Sequence, residues 1–270
     1  MDGKQRYFAE LAFNGTAYHG WQIQQNAVSV QEVFNKALAT LLRQSVETVG
    51  CGRTDTGVHA KQLFVHFEKA FSDQQSAISD LQLETKQELI AECRLLKASL
   101  NALLPKDISV KNIFPVEANA HARFDATLRA YEYHIHFDKD PFKQNLSWQL
   151  RDFPDLELMN QAANIIKEYR DFSCFSKSNT QVKTNFCAIK EAFWQQNPDG
   201  SLVFYIAADR FLRNMVRAIV GTLISVGKKE IEPAAVRKII ESKNRSNAGM
   251  SVPACGLYLT EVKYPYITSI

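Results

Sequence analysis

The residues Gly52-Arg53-Thr54-Asp55-Thr56-Gly57-Val58-His59-Ala60 concentrate the chemistry this chain could do. Asp55 stands two residues after Arg53 and two before Gly57. A cation beside a half-buried carboxylate lowers its pKa from about 3.9 by roughly 1–3 units, so the side chain stays ionised at neutral pH. An always-ionised carboxylate suits a nucleophile better than a general acid. The block therefore predicts covalent chemistry by Asp55. Gly50, Gly52 and Gly57 predict a loop there, because glycine permits positive φ and close approach of a ligand.

Around this block the chain alternates strand-like and helix-like stretches. Tyr7, Ala9, Leu11 and Phe13 share one face of a first strand that ends at the turn pair Asn14-Gly15. Ser29 and Glu32 have capping-box spacing, and Val30, Val33, Phe34, Ala37, Leu38 and Leu41 keep helical period. After the Asp55 loop, Leu63, Val65 and Phe67 alternate as a strand. A helix from Thr85, with Glu88 completing its box, is expected to bury Leu89, Cys93, Leu96, Leu100 and Leu103 before Pro105 stops it.

A second half opens near Ala118, dividing the chain into 1–117 and 118–270. There Tyr131, Tyr133, Ile135 and Phe137 alternate against Glu132, His134 and His136. A helix is expected from Leu156 to Tyr169 and a strand from Leu202 to Ala208. The run Phe211 to Ile224 reads as the longest helix, with Arg210, Arg213 and Arg217 as a stripe beside its apolar face. The fold class this rhythm predicts is α+β with antiparallel pairing, in two fused halves.

Composition narrows the classes. Apolar residues are 46% and charged residues 23%, the balance of an ordinary globular protein. No apolar run approaches the roughly 18 residues of a membrane span, and the first residues lack the pattern of a secretion signal. The cysteines at 51, 93, 174, 187 and 255 form no C-x-x-C pair, which speaks for reduced thiols in a cytoplasmic protein rather than for zinc or a thioredoxin-like site. Residues 68–94 hold six acids against three bases, so the remainder of a chain of net charge +3 is more basic, a balance compatible with phosphate binding but shared by many proteins with no nucleic-acid partner.

Several residues have plain readings. Asp-Thr-Gly is also the triplet of aspartic proteases, but those need two aspartates sharing a proton and the triplet occurs once. Tyr131 fits a core tyrosine as well as a substrate platform. Arg217 fits a solvated helix arginine as well as a catalytic one, and Arg210 and Arg213 read as solvated. His59 and His121 read as structural, since nothing pairs them with a nucleophile. Cys51 and Trp21 read as packing residues.

An ordered set of short blocks goes further. Asn14-Gly15-Thr16 and Gly20-Trp21-Gln22 precede Gly52 to Ala60. Ala102-Leu103-Leu104-Pro105-Lys106-Asp107-Ile108, His121-Ala122-Arg123-Phe124 and Arg129-Ala130-Tyr131-Glu132-Tyr133 follow. Asp171-Phe172, then Met215 to Thr222, Ala248-Gly249-Met250 and Pro253-Ala254-Cys255-Gly256-Leu257 complete it. In this order the chain resembles, nearly end to end, the TruA-type tRNA pseudouridine synthases. It departs from them at Asn14, where the family usually has aspartate, and in the longer acidic 68–94 segment.

The resemblance implies two fused ferredoxin-like halves with mixed, largely antiparallel sheets and a central active-site cleft. It implies isomerisation of uridine at positions 38, 39 and 40 of the tRNA anticodon stem-loop, without cofactor or metal, by a cytoplasmic homodimer. Asp55 corresponds to the catalytic aspartate, Arg53 to the motif arginine before it, Tyr131 to the active-site tyrosine and Arg217 to a second active-site arginine. Asp55 could attack C1′, add to C6 of the base, or take the 2′ proton. The other function these residues admit is a non-catalytic protein that binds structured RNA on the same fold. Retention of Asp55, Tyr131 and Arg217 together weighs against it, since binding alone does not need that set.

Overall fold

The computed structural model describes residues 4–70, 85–176 and 184–267. The fold is α+β, with five α-helices among the described residues and mostly antiparallel strands. By compactness the chain forms two units, Met1–Thr56 with Ala60–Ala126 and Gly57–His59 with Thr127–Ile270.

The first unit contains β1 (Lys4–Phe13), α1 (Val30–Leu42), β2 (Val49–Gly50), β3 (His59–Ala70), α2 (Thr85–Leu103) and β4 (Ile108–Val116). β1 lies between β3 and β4, antiparallel to both, and β2 pairs with β3. The expected face of β1 is buried, but so are Phe8 and Glu10 on the other face. Glu10 is tolerated there because Gln62 and Asn112 donate to its carboxylate. β3 likewise buries Leu63 through Phe67 without a break, so covering both faces erases the alternation of a half-exposed strand.

α1 starts as its sequence predicts, with the Ser29 hydroxyl accepting from the Glu32 N–H at 3.3 Å. It buries Val30, Phe34, Ala37 and Leu38. α2 buries Cys93 and Leu100, but Leu103 is exposed and Leu104 takes its place. The Leu104 N–H reaches the Leu100 carbonyl at 2.8 Å, one turn on, so the apolar stripe ends on a step of four rather than three. The side chain of Thr85 lies outside the described residues, as do residues 71–84 of the acidic segment. Of that segment's described acids, Glu68 pairs with Arg6 and Glu92 with Lys69. From α2, Asn101 grips β4 with two bonds. Its carboxamide donates to the Val110 carbonyl (2.9 Å) and accepts from the Val110 N–H (2.7 Å).

The second unit contains β5 (Leu128–His136), β6 (Trp148–Gln149), α3 (Leu156–Ile166), β7 (Ile189–Gln196), β8 (Leu202–Ala208), α4 (Met215–Gly227), α5 (Ala235–Glu241) and β9 (Leu257–Lys263). The strand order is β9-β5-β8-β7, antiparallel, with β6 parallel to β5. Tyr133 and Ile135 of β5, Phe204 of β8, Met159 of α3 and Ile219 of α4 meet in its core. α3 is capped by Asp155 and ends at Ile166 rather than Tyr169. Beyond Ile166 the N–H groups of Lys167, Glu168 and Tyr169 bond three residues back, which tightens the last turn out of α geometry. Asn160 of α3 grips β7 at both the N–H and carbonyl of Trp194 (2.7 and 3.1 Å).

α4 differs most from expectation. It begins at Met215, because Asn214 takes a left-handed conformation at φ 66°. Arg210 and Arg213 precede it, so they form no helical stripe with Arg217. At 13 residues it is also shorter than α2, with 19. Among the described residues, no helix is long and apolar enough to cross a membrane.

Candidate active site

Asp55 lies half-buried on an irregular loop of the first unit between Cys51 and Val58. The loop is held from two sides. At its start, the Cys51 N–H donates to the Phe64 carbonyl on β3 at 2.8 Å. Beneath Asp55, Gly20 adopts φ +85° and its Cα packs so tightly on the Thr54 carbonyl that a Cβ there would fall 2.2 Å from the oxygen. The next residue, Trp21, donates its backbone N–H to the same carbonyl at 3.4 Å, and its indole lies against Gly50. Of the three loop glycines, Gly57 has positive φ and Gly50 provides close approach. Gly52 does neither, with open space around it. The buried Thr54 hydroxyl and the Trp21 indole N–H have no hydrogen-bond partner among the described residues.

Arg53 is exposed. With Arg123 and Gln22 it lines a cleft of about 120 Å³ in the first unit.

Past Asp55 the chain enters the second unit at Gly57. Val58 is buried in that unit's core. The His59 ring stacks on Tyr258 at 4.5 Å, and its Nε2 lies 3.2 Å from the Cys255 carbonyl. Burial pushes the pKa of His59 down, so the ring is neutral and structural in character.

Tyr131 and Arg217 are both in the second unit. Tyr131 sits next to a bulge of β5, half-buried, with its ring edge-on to Phe211 at 5.1 Å. Tyr133, two residues on, is fully buried, and its hydroxyl donates to the Pro253 carbonyl at 2.8 Å. Burial raises the Tyr133 phenol far above its usual range, against a smaller opposing pull from Arg217. The Cys255 thiol is raised by burial with the same opposing charge, so Arg217, Tyr133 and Cys255 share one neighbourhood.

Arg217 lies in the first turn of α4 and donates its Nε to the Val252 carbonyl at 2.7 Å, while the Val252 N–H returns to the Arg217 carbonyl. The 248–252 loop is laced further. Arg245 donates to the Ala248 and Gly249 carbonyls and to Ser251 Oγ. The Gly249 N–H donates to Thr222 Oγ1, and Gly221 lies directly under the Met250 carbonyl. Arg245 and Ser251 belong to no motif block, so this bracing was not visible in the sequence. Among the described residues, no three His, Cys, Asp or Glu side chains are grouped to hold a metal ion.

A family profile described as tRNA pseudouridine synthase matches residues 169–265. Over 261 residues the chain is 48% identical to tRNA pseudouridine synthase A of Bacteroides fragilis, with 97% of each chain covered. The chain belongs to the tRNA pseudouridine synthase A family. The family member of Porphyromonas gingivalis is also 48% identical, covering 96% of this chain and 97% of its own. That of Clostridium acetobutylicum is 35% identical over 256 residues, covering 94% and 97%. A solved structure of an unknown protein from Galdieria sulphuraria aligns at 12% identity with a TM-score of 0.21, too low to bear on the fold.

Proposed function

We propose that this chain isomerises uridine to pseudouridine in tRNA, at positions 38, 39 and 40 of the anticodon stem-loop, with Asp55 as the attacking group. The observation that carries the reading is the end-to-end likeness to tRNA pseudouridine synthase A, at 48% identity over 97% of the chain.

In this isomerisation the N1–C1′ bond breaks, the uracil turns, and C5 bonds to C1′. N1 gains a proton and C5 loses one, so all atoms are conserved and no hydride acceptor or hydrolytic water takes part. Breaking a glycosidic bond builds positive charge on the ribose, which an ionised carboxylate can trap or stabilise. Asp55 attacks C1′, which traps that charge, or adds to C6 of the base, or takes the 2′ proton. The detached base must be held, which favours a closed, oriented pocket. Arg217, aimed by its Val252 contact, is in this reading the second active-site arginine. Tyr131 offers a flat face to the uracil and a hydroxyl for proton transfer. The target nucleotide leaves its stack at a cost of a few kcal/mol, and Arg53 fills the gap or grips a phosphate.

The reading includes two ferredoxin-like halves and the central active-site cleft that the family resemblance implies. It is supported by the element order strand-helix-strand-strand-helix-strand in each unit, with β6 and α5 added in the second. A cytoplasmic homodimer is the proposed working form, on the strength of the family resemblance.

The test is release of tritium from tRNA labelled at uracil C5. The purified protein should release it, and Asp55→Ala should not, while still binding tRNA. A wild-type protein that binds tRNA and releases none is the non-catalytic RNA binder instead.

A further inference from the structure

The turn from His121 to Asp125, in the first unit, has an exposed tip to which the proposed reaction gives no role. The turn is pinned. The His121 N–H donates to Asp125 Oδ2 at 2.7 Å, and the Asp125 N–H returns to the His121 carbonyl at 3.1 Å. Within it, the N–H groups of Arg123 and Phe124 both point at His121 Nδ1, at 3.1 and 3.3 Å. Below it, the Ala122 N–H donates to Nδ1 of buried His66, whose ring meets the His121 ring edge-on at 4.6 Å. Burial pushes both imidazoles toward the neutral form, which keeps these nitrogens acceptors.

This rigid base carries an apolar ring outward. Phe124 is 75% exposed, its ring 4.3 Å from that of His121. The Arg123 guanidinium lies 5.8 Å from the Phe124 centroid and also lines the cleft that Arg53 borders. Two exposed guanidiniums thus flank a cleft of about 120 Å³ beside an open aromatic face. A cleft of this size accepts a phosphate group but not a nucleoside. Aromatic faces that stack bases beside cations that hold phosphates are the usual means of binding unpaired nucleotides.

We propose that Phe124, Arg123 and Arg53 form a nucleotide subsite for the RNA substrate, in which Phe124 stacks an unpaired base and the two arginines hold its phosphate. The inference rests on the tRNA reading above, and Phe124 is a positioning residue in it.

The experiment measures binding of a fluorescent anticodon stem-loop RNA to the full chain, with tritium release in parallel. Phe124→Ala should weaken binding by about 5- to 150-fold, the range for one stacked base, and raise KM with kcat nearly unchanged. Phe124→Tyr should behave as wild type, and Phe124→Leu should fall with the alanine variant. All three should melt with the wild type, because the ring is exposed. Arg123→Gln should lower the slope of log affinity against log salt by about 1, and Arg123→Lys should preserve it. If Phe124→Ala binds and turns over as wild type does, or Phe124→Leu matches wild type, the subsite is refuted while the synthase reading stands. If the wild type releases no tritium, the synthase reading fails, and the binding series still decides the subsite.

Discussion

Gly20→Ala tests whether the Asp55 loop is positioned by backbone contact with a distant segment. A Cβ at position 20 would lie 2.2 Å from the Thr54 carbonyl oxygen and 3.1 Å from the Asp55 carbonyl carbon, whereas ordinary contact begins at 3.4 Å. The Thr54–Asp55 backbone must therefore retreat by about 1 Å, or β1 and α1 must give way around it. Alanine at φ +85° adds about 1–2 kcal/mol of left-handed strain, and overpacking about 1–3 kcal/mol. A total of roughly 2–5 kcal/mol corresponds to a Tm lower by about 5–15 °C. A displacement of about 1 Å at a reacting group costs about 100-fold in rate. Thermal melting, together with tritium release measured below the variant's Tm, separates the two effects. Gly52→Ala is the control, because it lies in the same loop with open space about its Cβ and should melt as wild type. Wild-type Tm and turnover for Gly20→Ala would refute the clamp.

Other perturbations separate function from stability. Tyr133→Phe should cost about 1 kcal/mol in urea unfolding, since it strips the Pro253 carbonyl of its donor, and leave turnover of the folded protein unchanged. Tyr131→Phe should do the reverse, slowing tritium release with little change in unfolding. Arg217→Ala should abolish turnover while tRNA still binds, and weakened binding with unchanged turnover of bound tRNA would contradict the role given to Arg217. His66 is held neutral, with its pKa lowered from 6.5 to about 4 by burial, His121 and Arg6. The unfolded chain takes up that proton near 6.5 and the fold does not. Stability should therefore be constant above pH 6.5 and fall as pH drops toward 4, by on the order of 3 kcal/mol. His66→Gln should flatten that slope in urea titrations across this range.

Local signals proved legible and remote ones did not. Ser29 and Glu32 announce the start of α1, and the run Leu202–Ala208 coincides with β8, because capping and period act over a few residues. Tyr131 and Tyr133 sit on one strand face as their alternation predicts, yet only packing against Phe211 and Pro253 sets them apart. The arginine stripe was misread because periodicity carries through Asn214, whose left-handed φ starts the helix four residues late. Leu103 and Leu104 exchange places for a similar reason, since a helix end resolves to a residue only once its last contact is made. At the site, the loop was legible from its glycines. Its support was not, because Gly20 and Thr54 are 34 positions apart and the bracing of Arg217 comes from Arg245 and Ser251.

Asn101 and Asn160 have a consequence beyond fastening a helix to a strand. A carboxamide offers a donor and an acceptor in the geometry of a peptide group, so each asparagine stands in for one residue of a further strand. β4 and β7 each end the strand order, and their outward backbone groups are what another molecule's strand would seek. At Val110 and Trp194 that position is already filled from within the molecule. The two asparagines therefore act as guards against edge-to-edge aggregation, one on each unit, and are a likeness between units that share no residue-level repeat.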